Sequence, residues 1–134
     1  MIIKRDKKLK QILKKASGLV NKNKYERCIL YLNKHRKYSN ISRVQSLYGL
    51  SYMCLDKYKL ASHRFEKAIK LKNYSPETFL YLDFVSLASC HDLMGDFKTA
   101  KKVLEKGLKN CKEKTFLSGA LKIVNKKLKK AYKK

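Results

Sequence analysis

A chain of 134 residues with 34 Lys or Arg against 10 Asp or Glu carries a formal charge of +24. At roughly 100–200 residues per domain, residues 1–134 read as a single domain, and a 44% apolar content supplies a core that a disordered basic tail would lack. No stretch approaches the ~20 uncharged apolar residues of a membrane-spanning helix, and no apolar signal core follows Met1 to Arg5, so the expectation is a soluble, cytoplasmic chain.

Apolar spacing is helical from end to end. Pro76 is the only proline, there are five glycines, and β-branched alternation is nowhere sustained. Ile12, Ala16 and Leu19 share the first helical face; Tyr25, Cys28 and Leu32 follow after a turn at Asn21 to Asn23. Val44, Leu47, Tyr48, Ser51 and Cys54 form the third stripe, and Asp56 is expected to cap the fourth helix, where Tyr58, Ala61, Phe65, Ala68 and Ile69 align. Ser75-Pro76-Glu77 is a helix start: serine caps, proline suits the first position, and Tyr74 can staple onto Phe79. The fifth stripe is Phe84, Leu87, Ala88 and His91. Gly95 then ends that helix in a left-handed residue, and Asp96 caps the sixth, with Phe97, Ala100, Leu104 and Leu108 on one face. Leu117, Leu121, Val124, Leu128 and Ala131 complete about seven amphipathic helices, whose short connections imply antiparallel pairs.

These stripes repeat in register. Tyr25, Tyr58 and Phe97 are each followed three residues later by Cys28, Ala61 and Ala100, and four beyond those by Leu32, Phe65 and Leu104. Upstream, Ala16, Gly49 and Ala88 hold a further small position, with Leu19, Tyr52 and His91 three residues on. Small side chains recur where helices must approach closely and large ones where the gap must be filled. Residues 42–75 carry Tyr48-Gly49-x-x-Tyr52, Asp56, Tyr58, Ala61-x-x-x-Phe65 and Ala68-Ile69, and residues 81–114 keep Phe84-x-x-Leu87-Ala88, Gly95, Phe97, Ala100 and Leu104. This pattern resembles the tetratricopeptide repeat (TPR) family. Residues 9–40 resemble a degenerate first unit, with Lys15 at an aliphatic position, and 115–132 resemble the closing helix of such arrays. The late proline of the family is missing from all three units. The resemblance implies an all-α, right-handed superhelical stack of antiparallel helix pairs.

In that register the concave groove is lined by Lys10, Leu13, Lys14 and Ser17 from unit one, Arg43, Ser46, Leu47 and Leu50 from unit two, and Leu82, Val85, Ser86 and Ser89 from unit three. The resemblance implies a non-catalytic scaffold that takes an acidic protein or peptide segment through this groove and the basic terminal helices. The Lys and Asn positions with which some family members grip a C-terminal carboxylate are occupied by Leu13, Ser17, Leu47, Leu82 and Ser86, so that clamp is not expected.

Charge is uneven. Residues 1–24 hold nine basic and one acidic side chain, 58–96 five of each, and 97–134 fourteen and two. Lys122, Lys126, Lys127, Lys129 and Lys130 lie along the last helix, with Lys133 and Lys134 beyond, and offer an alternative reading: RNA or ribosome association through phosphate contacts. Arginine is scarce, five against 29 lysines, and the basic runs lack interleaved aromatics, which argues against base reading. Lysines meeting anionic lipid are a weaker third reading, since only Phe116 and Tyr132 could anchor the last helix. Cys28, Cys54, Cys90 and Cys111 lie 26, 36 and 21 residues apart without metal-ligand spacing and read as free thiols acting as small apolar fillers. His35, His63 and His91 fall on separate helices, and no phosphate loop, nucleophile motif or paired acid motif is found, so neither catalysis, metal nor cofactor is expected.

Overall fold

The computed structural model describes residues 6–71, 73 and 77–132. Among these are seven α-helices, one short 3-10 turn and no strand: α1 (Lys7–Asn21), α2 (Tyr25–Asn33), the 3-10 turn (Arg36–Tyr38), α3 (Ser42–Cys54), α4 (Tyr58–Leu71), α5 (Glu77–Leu93), α6 (Phe97–Asn110) and α7 (Thr115–Tyr132). The expected Ser75-Pro76 cap, the Tyr74–Phe79 staple, Lys133 and Lys134 lie outside the described residues. The chain divides into two compact units, Met1–Ser75 and Pro76–Lys134.

In the first unit α1 packs on α2 and α3, α2 on α3, and α3 on α4. Leu9, Ile12, Leu13 and Ala16 of α1 meet Cys28 and Leu32 of α2 and Val44, Leu47 and Tyr48 of α3 in one apolar cluster. Each fully buried Leu or Ile contributes roughly 1.5–3 kcal/mol through this packing. Asp6 starts α1: its Oδ1 accepts the Leu9 N–H at 3.0 Å, and Oδ2 accepts the Tyr38 hydroxyl at 3.1 Å, tying the helix start to the 3-10 turn. The start of α3 is capped from a distance. Asn73 Oδ1 accepts the Ser42 N–H at 2.8 Å, and its Nδ2 donates to the Asn40 carbonyl at 2.6 Å. Buried Gln45 donates to the Ser39 carbonyl at 2.6 Å and accepts from Arg64 Nη1 at 3.2 Å. The guanidinium of Arg64 also lies 4.1 Å above the Tyr48 ring, so the amide and the charge satisfy each other between α3 and α4.

In the second unit α5, α6 and α7 pack pairwise on one another. Phe84, Leu87, Ala88, Cys90, Ala100, Leu104, Leu117 and Val124 are buried. A β-carbon on Gly107 would stand 3.0 Å from both Phe84 and Leu117, so this glycine lets α6 pass close to its two neighbours. Glu113 caps α7, accepting the Thr115 N–H at 2.7 Å.

One turn recurs three times at the repeated positions. The N–H of Lys24 donates to the Leu19 carbonyl at 2.8 Å, that of Lys57 to Tyr52 at 2.9 Å, and that of Asp96 to His91 at 2.8 Å. The residue before each donor is left-handed: Asn23 at φ 61°, Asp56 at 61° and Gly95 at 80°. This six-to-one closure with an inner bond from the left-handed residue is a Schellman turn, and Leu19, Tyr52 and His91 are the residues that the repeat aligned. Asp96 caps α6 as expected, its side chain accepting the Thr99 N–H at 3.2 Å. Asp56 is a correction. It does not cap α4 but takes the left-handed closing position of α3, where Asp and Asn are tolerated, and its carboxylate accepts the Tyr58 hydroxyl at 2.9 Å. Cys54 is a second correction: it ends α3 on the surface and is exposed, while Cys28, Cys90 and Cys111 are buried fillers.

Candidate partner-binding surfaces

The second unit carries an open cleft of about 130 Å³ between α5 and α7. Buried Ala88, Leu104 and Val124 form its floor; Val85, Ser89, Ala120 and Ile123 form its walls. This volume suits one aliphatic side chain, since an apolar cavity of about 150 Å³ accommodates benzene. Around the cleft the surface stays apolar: Ile123 is 57% exposed, Leu82 42% and Phe116 64%, the last stacked on Tyr81 at 6.0 Å. Phe116, Ile123 and Lys130 recur every seven residues and so share one edge of α7. Asp92 stands at one end of the cleft, and both its oxygens accept from Lys127 Nζ at 2.8 Å.

The twelve residues expected along a groove are dispersed by their burial. Val85 and Ser89 line the cleft; Ser86 is half-buried and Leu82 exposed on the same helix. In the first unit Lys10 and Lys14 are exposed and Ser17, Arg43 and Leu50 half-buried. Leu13, Ser46 and Leu47 are interior. Packing of α3 on α1, α2 and α4 buries every residue from Val44 to Gly49, so Leu47 belongs to the core at 1% exposure, and the Ser46 hydroxyl donates to the Ser42 carbonyl at 3.2 Å. Lys14 lines a second hollow, with Lys15, Lys22 and Lys24.

On α7 Lys122, Lys126, Lys129 and Lys130 are exposed beside the apolar edge. Lys127 is committed to Asp92 and also lies 5.7 Å from the centre of the Phe97 ring. Sequence patterning missed Ala120 and Ile123 as surface elements of interest, because the stripe from Leu117 to Leu128 accounts for the buried side of α7 and these two fall just beyond its edge, while Phe116 was singled out only as a lipid anchor.

Among the described residues no three or more His, Cys, Asp or Glu side chains converge to hold a metal ion, and no helix is long and apolar enough to cross a membrane. His91 is mostly enclosed, with Nδ1 3.8 Å from Asp96 Oδ2, and Cys90 is buried deeply enough to push its thiol up to about 11, far from thiolate chemistry. No protein-family model matches the chain, and comparison with curated proteins finds no match.

Proposed function

We propose that the chain is a non-catalytic, TPR-like adaptor that captures an acidic protein segment bearing aliphatic anchors. In this reading the helices are three TPR-like pairs and a closing helix in a right-handed superhelical stack. The thrice-repeated Schellman turn at aligned positions supports it, as does the packing of α1 on both α2 and α3 and of α5 on both α6 and α7. The observation that carries the function is the α5–α7 cleft: an apolar slot with Ile123, Leu82 and Phe116 left in water, beside Lys126 and Lys130, its one carboxylate already neutralised by Lys127. Apolar burial would hold such a segment, and the lysines would steer it and select its sign.

Ile123→Glu tests this without disturbing the core, whereas Leu47, once expected on the groove wall, is too deeply buried to serve as a probe. The titrant is a labelled amphipathic peptide with Leu at i, i+3, i+4 and i+7 and Glu elsewhere. We expect the wild-type chain to bind it at least about tenfold more tightly than a Ser-for-Leu control, and Ile123→Glu to erase the difference, since a buried aliphatic anchor is worth roughly 1.5–3 kcal/mol. Equal binding of the two peptides by the wild-type chain refutes the proposal.

A further inference from the structure

We propose that the hollow beside α1 in the first unit is a phosphate-backbone site, in which Lys14 and Lys15 on the helix and Lys22 and Lys24 in the following turn converge on successive phosphodiester groups of a nucleic acid. The hollow holds about 480 Å³, within the ~300–1,000 Å³ typical of ligand sites. It is separate from the α5–α7 cleft and stands whether or not that cleft takes a peptide.

Three features set it apart from ordinary solvated lysine. Its backbone is fixed: Lys22 and Lys24 flank left-handed Asn23, whose N–H donates to the Val20 carbonyl at 2.9 Å while that of Lys24 reaches Leu19 at 2.8 Å. Its interior is clear, because Gly18 lines it with nothing within 4 Å of where a β-carbon would stand, and Gln11 adds an amide donor. Its charge is uncompensated by the protein. Residues 1–75 hold 20 basic side chains and four acidic ones, and none of those four lines the hollow. Asp6 is engaged by the Leu9 N–H and Tyr38, Asp56 accepts from Tyr58, Glu26 lines a different recess with Arg27, on the other side of Lys24, and Glu66 is exposed on α4. Four cations brought together without an anion repel one another, and a bound anion relieves that repulsion. His35, in the turn after α2, is held below its ordinary pKa first by burial and then by the charges of Lys8, Lys15 and Lys34, of which Lys15 lines the hollow.

The lining also selects the kind of anion. Leu19 is its only large apolar side chain and the rest of its apolar wall is lysine and Gln11 stem, so the hollow offers a peptide a single aliphatic anchor point while every charged head that rims it is cationic. Lysine binds phosphate as a point charge. No aromatic side chain lines the hollow, and the nearby Tyr31 ring carries Lys15 Nζ 4.7 Å from its centre, so the contacts position a strand without reading its sequence.

The test compares two full-length variants of equal charge, Lys14→Gln/Lys15→Gln/Lys22→Gln/Lys24→Gln and Lys122→Gln/Lys126→Gln/Lys129→Gln/Lys130→Gln, all at exposed positions. Anisotropy of a labelled mixed-sequence RNA strand and of a DNA duplex of equal length is followed across salt concentrations. We expect the first variant to lose about tenfold or more in affinity and to flatten the log–log salt slope by about 3 on the single strand, at ~0.7 per phosphate contact, while the second loses less than about threefold. The loss must appear with the strand, the duplex or both, which also distinguishes the two forms of backbone. Equal losses from the two variants, or an unchanged slope on both probes, would overturn the proposal. So would a polyglutamate chain that loses as much as the nucleic acid, since that assigns the hollow to acidic protein.

Discussion

Phe65 lies directly over Gly49, its ring carbons 2.7–2.9 Å from the point where a β-carbon would stand. No side chain fits there unless α3 and α4 separate or the buried ring moves, and Phe65 is 1% exposed with no room to swing out. Overpacking of this kind costs about 1–3 kcal/mol, against a helix-propensity gain of about 1 kcal/mol for replacing glycine by alanine. Gly49→Ala should therefore destabilise the chain on balance. Gly119 in α7 has nothing within 4 Å of its β-carbon position, so Gly119→Ala should show the propensity gain alone, about 0.5–1 kcal/mol of added stability. Urea midpoints decide the matter: if both substitutions raise the midpoint, Phe65 is not seated on Gly49.

The acid limb of stability should follow two helix caps. Asp6 is held below its ordinary value of 3.8 mainly by the Leu9 N–H and also by the Tyr38 hydroxyl and the charge of Lys37. Asp96 is held below 3.8 by its hydrogen bonds from Thr99, helped by the charges of His91 and Lys102. A carboxyl whose folded pKa lies below its unfolded one stabilises the fold above the unfolded value and loses that contribution as pH falls through the folded one. Melting temperature should be level with respect to these two groups from neutrality to about pH 5 and should fall below about pH 4, where carboxylates protonate. Asp6→Asn/Asp96→Asn, which keeps the acceptor oxygen but removes the titrating group, should lower the melting temperature at neutral pH and shallow its fall in acid. An acid limb as steep as that of the wild-type chain would show that other carboxyls set it.

Seven helices, the turn at Asn21 to Asn23, the left-handed closure at Gly95 and the small buried positions at Ala16, Cys28, Gly49, Ala61, Ala88 and Ala100 were legible in the sequence, because periodicity and turn chemistry are local signals. The cap that Asn73 gives to Ser42 was not, since donor and acceptor are 31 residues apart and the pairing exists only once α3 and α4 have packed. Arg64 is a similar case. On the wheel of α4 it reads as a solvated cation, yet it satisfies buried Gln45 and covers Tyr48. The burial of Ser46 and Leu47 was not legible for a related reason: α3 is touched by three other helices, and the stripe from Val44 to Cys54 gives one of its buried sides without showing that the adjoining positions are covered too. The hollow at Lys14 was half visible, in Lys14 itself. Lys15 adjoins it on α1, but Lys22 and Lys24 stand on a turn whose direction is set by Asn23.

Thiol accessibility gives an independent measure of how tightly each unit is packed. Cys54 ends α3 exposed, whereas Cys28 is buried in the first unit and Cys90 and Cys111 in the second. Burial raises the Cys28 thiol above its usual range and pushes that of Cys90 up to about 11, so neither offers thiolate at neutral pH even to a reagent small enough to enter. An aromatic disulfide reagent should titrate Cys54 rapidly in the native chain and the other three only at the rate of local or global opening, and in denaturant all four should react at once. Because the slow thiols are divided between the units, mass mapping of the second and third labels shows which unit opens first. Rapid native labelling of Cys90 would contradict the packing of α5 on α6 and α7, and with it the floor of the cleft on which the adaptor reading rests.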